Sequence, residues 1–104
     1  MKMDIETVVM ELVVHGGNAR SKALEAITAA GKGEFETAEA KMAECQESLI
    51  QAHHSQTDLL QAEVNGEQTP VTLLLVHAQD HLMNAITVRD LAQQMIQMYR
   101  KLYE

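Results

Sequence analysis

The sequence has few of the residues that break helices and few of the rings that fill most protein cores. Its 104 residues include one proline, five glycines, one cysteine, no tryptophan and only 3% aromatic residues. The lone cysteine, Cys45, excludes an internal disulfide bond. The core must therefore consist of aliphatic side chains and methionines, a composition that favours helices.

Basic residues and long apolar runs are scarce as well. Lys and Arg number 8 against 15 Asp and Glu, which gives a formal net charge of −7, whereas nucleic-acid binding requires clustered positive charge. No apolar run reaches the ~18 residues of a membrane span. The N-terminus, MKMDIETVV, carries acidic residues where a signal peptide has a positive region. We therefore expect a cytoplasmic, reduced protein whose partners are other proteins.

The length of the chain fits a single domain over residues 1–104. Two breaks, GKG at 31–33 and NGEQTP at 65–70, divide it into three segments of similar length. In the first two segments, apolar and small residues recur with alternating steps of four and three, the spacing of one helix face. These predicted seams are Ile5, Val9, Leu12, Gly16, Ala19, Ala23, Ala26 and Ala30, and then Phe35, Ala38, Met42, Cys45, Leu49, Ala52, Gln56 and Leu59.

The third segment shows the same step from a predicted start near the proline. Thr69 is a candidate N-cap, and Pro70 suits the first helical position, where a missing N–H costs nothing. The predicted seam is Leu74, His77, His81, Asn84, Val88, Leu91, Met95, Met98 and Leu102. Each of the three segments is therefore predicted to be a helix.

Three helices of about 30 residues, each ~45 Å long, predict an antiparallel up-down-up three-helix bundle when short loops join them. Gly16 and Gly17 each cost about 1 kcal/mol inside a helix, which indicates close packing or a kink. The third helix is apolar nearly all round, and two neighbours cannot enclose it. We therefore expect other copies of the chain to cover it in a homo-oligomer. Its further stripes are Leu73, Val76, Asp80, Met83 and Thr87, and Leu75, Ala78, Leu82, Ala85 and Ile86.

The stretch VHAQDHLM at 76–83 places three ionisable side chains within this apolar helix. Asp80 lies on an apolar stripe, so assembly would bury it. If a symmetry axis brings the Asp80 side chains of several copies together, carboxylates ~4 Å apart repel by ~4 kcal/mol per pair at an effective dielectric of 20. Such a cluster requires a divalent cation with oxygen ligands, or retained protons. The alternative is that Asp80 reaches solvent or an arginine.

His77 and His81 lie four residues apart and project from one helix face. A metal site, an acid–base pair and a nucleophile with a helper all fit such a pair. The segment lacks the carboxylate of the zinc-protease motif H-E-x-x-H and has no Ser or Cys nucleophile. The imidazole of His77 is then the candidate nucleophile for a phosphoryl group, whose oxygens can accept hydrogen bonds from His81, Gln79 and Gln56.

Two other interpretations remain open at this point. The chain can be a metal-binding helical bundle in which His77, Asp80 and His81 ligate one ion. It can also be a purely structural oligomerisation module, whose histidines are ordinary core or surface residues. Loss of metal on substitution of His77 would mark the first, and an unchanged protein would mark the second.

Three motifs carry a resemblance to a known family. VHAQDHLM at 76–83, GNARSKALEA at 17–26 and AHHSQTDLL at 52–60 resemble the lactose/cellobiose-type enzyme IIA of the bacterial sugar phosphotransferase system, and they occur in that family's order. The resemblance extends from Ile5 to Leu102. It implies a phosphotransferase component that carries phosphohistidine, built as a homotrimer of three-helix subunits with nine helices in all.

By position, the resemblance makes His77 the phosphorylated residue. It assigns Gln79, His81 and Gln56 to the active site as well. It places Asp80, one from each subunit, on the threefold axis, where a divalent cation such as Mg²⁺ binds.

For transport, the resemblance implies a relay of the phosphoryl group. The group arrives from the histidine-containing phosphocarrier protein and leaves for a cysteine of enzyme IIB, which serves the membrane component enzyme IIC. Ala78 resembles the cellobiose or chitobiose branch more than the lactose branch, which implies a beta-linked disaccharide. Arg20 and Gln56 fall within the other two motifs of the family.

Overall fold

The chain folds into three long helices joined by two loops. The computed structural model describes residues 4–104, and the helices are α1 (Ile5–Gly31), α2 (Phe35–Val64) and α3 (Leu73–Tyr103). Met1–Met3, on which the expectation about the N-terminus partly rests, lie outside that range. Within the described range, none of the helices has the length and apolar character that a bilayer crossing demands. The predicted all-helical three-helix fold is confirmed.

The helices alternate in direction, and α1 is the one that packs extensively against both of the others. Glu11 of α1 meets Ser55 of α2, and Lys22 meets Glu44, so residue numbers rise on one helix as they fall on the other. α2 and α3 touch each other much less. The molecule, which measures 54 × 21 × 19 Å, is therefore an up-down-up bundle that is open between α2 and α3.

The beginning of α3 differs from the predicted one. Thr69 and Pro70 lie in a nonhelical linker, and the helix begins at Leu73. Thr72 is the N-cap, with an extended backbone (φ −104°, ψ 162°) and a side chain that accepts a hydrogen bond from the Leu75 N–H at 3.1 Å. The prediction was wrong because both threonines suit a cap, and the one whose hydroxyl reaches a free amide determines the start.

The seams predicted for α1 and α2 form the core. Ile5, Phe35, Met42 and Gln56 are half-buried at its edges. Desolvation by burial raises the pKa of the Cys45 thiol, which keeps it protonated and unreactive. The fully or nearly fully buried members are Val9, Leu12, Gly16, Ala19, Ala23, Ala26 and Ala30 of α1, and Ala38, Cys45, Leu49, Ala52 and Leu59 of α2.

α3 packs through a different stripe from its predicted seam, whose members are exposed or half-buried. The buried residues are Leu75, Ala78, Leu82, Ala85, Ala92 and Ile96. Alanines let α3 come close to α1, so that a Cβ added at Gly16 would lie 3.4 Å from Cα of Leu82. The prediction was wrong because α3 is apolar on several sides, and spacing alone does not select the inward one.

All three aromatic residues gather at the end of the bundle where the α1–α2 loop meets the C-terminus of α3. The rings of Phe35 and Tyr103 are 5.5 Å apart and edge to face, at 85°. The Tyr103 hydroxyl donates a hydrogen bond to the carbonyl oxygen of Gly31 at 2.9 Å. Arg100 lies 4.7 Å from the centre of the Phe35 ring, a cation–π distance, and Tyr99 packs against Gly31. These contacts tie the end of α3 to the loop.

Substituting Gly33 with alanine is expected to lower the free energy of unfolding by about 2–3 kcal/mol. Its φ is +79°, and an added Cβ would lie 2.8 Å from the Tyr103 ring. Gly66→Ala is the matched control, because its φ is +87° and nothing lies within 4 Å of an added Cβ. Urea unfolding measures both variants. Equal losses would contradict the packing of Tyr103 on the loop.

Candidate functional site

His77 is exposed in the second turn of α3. The centre of the His81 ring is 5.9 Å from that of the His77 ring, and the two planes are inclined by 31°. The His77 imidazole is thus open to large molecules and has a second imidazole one turn away. Accessibility of this kind is what a nucleophile needs when it reacts with another protein.

The second histidine, His81, is half-buried over two glycines of α1. A Cβ added at Gly17 would lie 3.0 Å from Nε2 of His81, and one added at Gly16 would lie 3.5 Å from its Cδ2. α1 continues through both glycines as a helix, so the pair serves close packing, one of the two explanations drawn from the sequence. α1 therefore holds the His81 ring in place.

A cationic residue outside the predicted site lies beside His81. Arg20 makes no salt bridge within residues 4–104. The signal for it in the sequence was the motif GNARSKALEA at 17–26, in which Arg20 follows Gly17 by three positions and so lies on the same side of α1. Arg20 and His81 line a depression of about 360 Å³ together with Asn84, Thr87 and Val88.

Gln56 and Gln79 form a pair of their own. Nε2 of Gln56 donates a hydrogen bond to Oε1 of Gln79 at 2.9 Å. Each residue turns a helix by about 100°, so Gln79 projects from the side of α3 away from His77, two positions earlier. A single chain thus brings His77 together with His81, and Gln79 together with Gln56, but it does not join the two pairs.

Asp80 is an exposed carboxylate that reaches solvent in the single chain. Its Oδ2 accepts a hydrogen bond from Nδ2 of Asn84 at 3.3 Å. Over the part of the chain that the structure describes, no three His, Cys, Asp or Glu side chains are placed to hold a metal ion. His77, Asp80 and His81 of one chain therefore do not form the site that the metal-binding interpretation requires.

One face of α3 is apolar and lies outside the bundle along the whole helix. We call it the uncovered face of α3, and its exposed members are Leu73, Val76, Met83, Leu91, Met98 and Leu102. Leu73 is 87% exposed and Leu102 76%. Asp80 lies on the same side by helical position. Apolar surface of this extent marks a contact with another protein, and its burial by further copies stays a prediction.

Fold and site together define an all-helical protein that exposes the imidazole of His77, the candidate nucleophile, with a second imidazole one turn away. Residues 7–100 match the family described as the lactose/cellobiose-specific IIA subunit of the PTS system, the sugar phosphotransferase system. The chain therefore belongs to the lactose/cellobiose-specific enzyme IIA family and is a phosphotransferase component. This confirms the resemblance found in the sequence.

Similar proteins match nearly the entire chain. The lichenan-specific phosphotransferase enzyme IIA component of Bacillus subtilis (strain 168) is 50% identical over 104 residues, which cover 100% of this chain and 94% of that protein. The crystal structure of the PTS cellobiose-specific enzyme IIA from Bacillus anthracis has a TM-score of 0.94 and 46% identity, covering 99% of this chain and 94% of that one. A chain from the solution structures of the IIA(Chitobiose)-HPr complex of the Escherichia coli phosphotransferase system has a TM-score of 0.84 and 37% identity, covering 99% and 100%.

Proposed function

We propose that the protein is a phosphocarrier subunit of a sugar-uptake phosphotransferase system and that His77 carries the phosphoryl group. A ring nitrogen of His77 attacks the phosphorus of a phosphohistidine on the histidine-containing phosphocarrier protein, whose N–P bond breaks as the new one forms. A cysteine thiolate of enzyme IIB then attacks the phosphorus, and the N–P bond at His77 breaks. The exposure of His77 carries the proposal, since its ring must reach two proteins in turn.

The surroundings of His77 support contacts with both partners. Leu74, one turn before His77 and outside the uncovered face of α3, is exposed, so it offers apolar area to visiting proteins in the proposed trimer as well. The IIA(Chitobiose) relative is described in a complex with HPr, and we extend that partnership to this chain. Because each partner must also leave, we expect interfaces of moderate size.

The oxygens of the phosphoryl group need hydrogen-bond donors, since phosphoryl transfer depends mainly on positioning and charge stabilisation. His81 of the same chain is one proposed donor. Gln79 and Gln56 are the others, and we place them in a neighbouring copy because within one chain they face away from His77. The proposed homotrimer of nine helices, in which the uncovered face of α3 turns inward, provides such a neighbouring copy.

In such a trimer, three Asp80 carboxylates would meet on the axis. We propose that they hold a divalent cation, Mg²⁺, because hard cations of this kind prefer carboxylate oxygens. The residues fit this group, since the one described partner of Asp80 is the neutral amide of Asn84, which leaves the carboxylate charge uncompensated. When bound, the cation would neutralise the carboxylate charge on the axis. It takes no part in phosphoryl transfer, which His77 carries out with His81 as a hydrogen-bond donor.

The proposed sugar is a beta-linked disaccharide of the cellobiose or chitobiose type and not lactose. Ala78, next to His77, resembles that branch. A relative described as lichenan-specific is 50% identical and a structure described as cellobiose-specific 46% identical, compared with 39% and 41% for two relatives described as lactose-specific. Phosphorylation of cellobiose, N,N'-diacetylchitobiose and lactose, compared in the presence of candidate enzyme IIB and IIC proteins, tests the choice. A preference for lactose would reverse it.

The central step is tested by incubating the protein with phosphoenolpyruvate and the general phosphotransferase proteins. Mass spectrometry should show the gain of one phosphoryl group per chain, in an acid-labile and alkali-stable form, and peptide mapping should locate it on His77. Addition of enzyme IIB should remove it. A sample without the phosphocarrier protein is the control. Labelling in that sample, or on another residue, contradicts the proposal.

A further inference from the structure

Two adjacent glycines lie in the middle of α1, and they accommodate different neighbours. Gly16 is buried, and its added Cβ would lie 3.4 Å from the backbone of Leu82. Gly17 is only half-buried, and the three atoms nearest to its added Cβ all belong to the His81 ring, at 3.0, 3.9 and 4.0 Å. Helix packing therefore accounts for Gly16. The group for which Gly17 leaves room is the imidazole of His81.

We propose that Gly17 is a positioning residue for phosphoryl transfer, because its missing side chain forms the seat that holds the His81 ring beside His77. The inference rests on the proposed function of His77. Glycine weakens a helix relative to alanine. The glycine at position 17 therefore lowers the stability of α1 but leaves room for the His81 ring. The ring centres of the two histidines are 5.9 Å apart, which lets His81 face the oxygens of a phosphoryl group on His77.

The placement of His81 matters because a hydrogen bond to a reacting group depends steeply on distance and angle. A methyl group at Gly17 would lie 3.0 Å from Nε2 of His81, so the ring would have to shift by a few tenths of an ångström. The ring is the tip of a flexible side chain, so it can move without disturbing the helix contact at Gly16. A substitution at Gly17 can therefore displace the His81 ring without lowering the stability of the bundle.

Gly17→Ala tests the inference. We expect the midpoint of thermal unfolding to rise by about 4 °C at fixed protein concentration. The imidazole resonances of His81 should shift in the NMR spectrum. The rate of phosphoryl transfer to His77 should fall roughly tenfold, since small displacements of a positioned group have effects of this size or larger. A more stable but slower protein is the expected signature.

Gly31→Ala is the matched control. Gly31 also lies in α1, and a Cβ added there would lie 3.3 Å from Cζ of Tyr99. Like Gly17→Ala, this substitution places a methyl group of α1 against a ring of α3, but at the far end of the bundle. It should change stability alone, with the His81 resonances and the transfer rate unchanged.

A double variant shows whether Gly17 acts through His81. In a His81→Ala background, Gly17→Ala should slow transfer no further. Slowing that persists there, unchanged His81 resonances in Gly17→Ala, or loss of folding in that variant would each overturn the inference. Failure of the proposed function is recognised separately, because the wild-type protein would then take up no phosphoryl group, whatever the NMR spectrum shows.

Discussion

Replacing His77 with alanine is expected to abolish uptake of the phosphoryl group while leaving the fold intact. The ring nitrogen of His77 is proposed to form the N–P bond, so its removal should lower the transfer rate by at least roughly a thousandfold. The side chain is exposed, and its loss should change the free energy of unfolding by no more than about 0.5 kcal/mol. Mass spectrometry after incubation with phosphoenolpyruvate and the general phosphotransferase proteins measures the first effect, and urea unfolding the second.

His15→Ala is the control for this experiment. His15 lines a depression formed by α1 and α2, together with Lys22 and Glu47, to which no residue of α3 contributes. The His15→Ala variant should take up the phosphoryl group at the wild-type rate. A full label on His77→Ala would remove His77 from the proposed relay, and a label lost from His15→Ala would show that the assay responds to any missing histidine.

Asp80→Leu is expected to free the proposed trimer from its proposed requirement for a divalent cation. Carboxylates meeting on the axis at ~4 Å repel by ~4 kcal/mol per pair, so removal of the cation with EDTA should dissociate the wild-type trimer. A leucine side chain would instead join Leu73, Val76 and Met83 of the uncovered face, and buried charges often give way to apolar residues without loss. In EDTA the variant should stay trimeric and unfold at least ~10 °C above the wild type.

Sedimentation velocity and thermal unfolding, each with Mg²⁺ and with EDTA, measure these effects. Asp58→Leu is the matched control, because Asp58 is also an exposed aspartate but lies on α2. This substitution should leave the response to EDTA unchanged. Monomers of Asp80→Leu would contradict the axial position of this residue. A wild-type trimer that stays assembled in EDTA would contradict the proposed requirement for a divalent cation.

The core could be predicted from the sequence for two helices and not for the third. In α1 and α2, apolar and small residues recur along one stripe, while charged residues lie outside it together with scattered exposed apolar residues such as Val14 and Ile50, so spacing alone identifies the inward face. In α3, apolar residues occupy several stripes, and the seam containing Leu74 and His77 could not be distinguished from the one that packs. The alanines at 78, 85 and 92 were a usable signal, because small side chains allow close packing against a neighbouring helix.

The candidate site could be predicted as a set of residues but not as an arrangement. The step of four from His77 to His81 correctly predicts that they share one side of α3. The step of two from His77 to Gln79 argues against a shared side, and that signal was available in the sequence. The closeness of Arg20 and Gly17 to His81 depends on how α1 and α3 are aligned, which hydrophobic spacing does not fix.

The gathering of Phe35, Tyr99 and Tyr103 at one end of the bundle determines how the molecule can be observed spectroscopically. These rings lie ~30–40 Å along α3 from His77, at 1.5 Å per residue. Tyrosine fluorescence and near-ultraviolet circular dichroism of the native chain therefore report on the far end of the bundle and do not report on the end that carries His77. Because the sequence has no tryptophan, a single indole introduced beside His77 would report partner docking without any background to subtract.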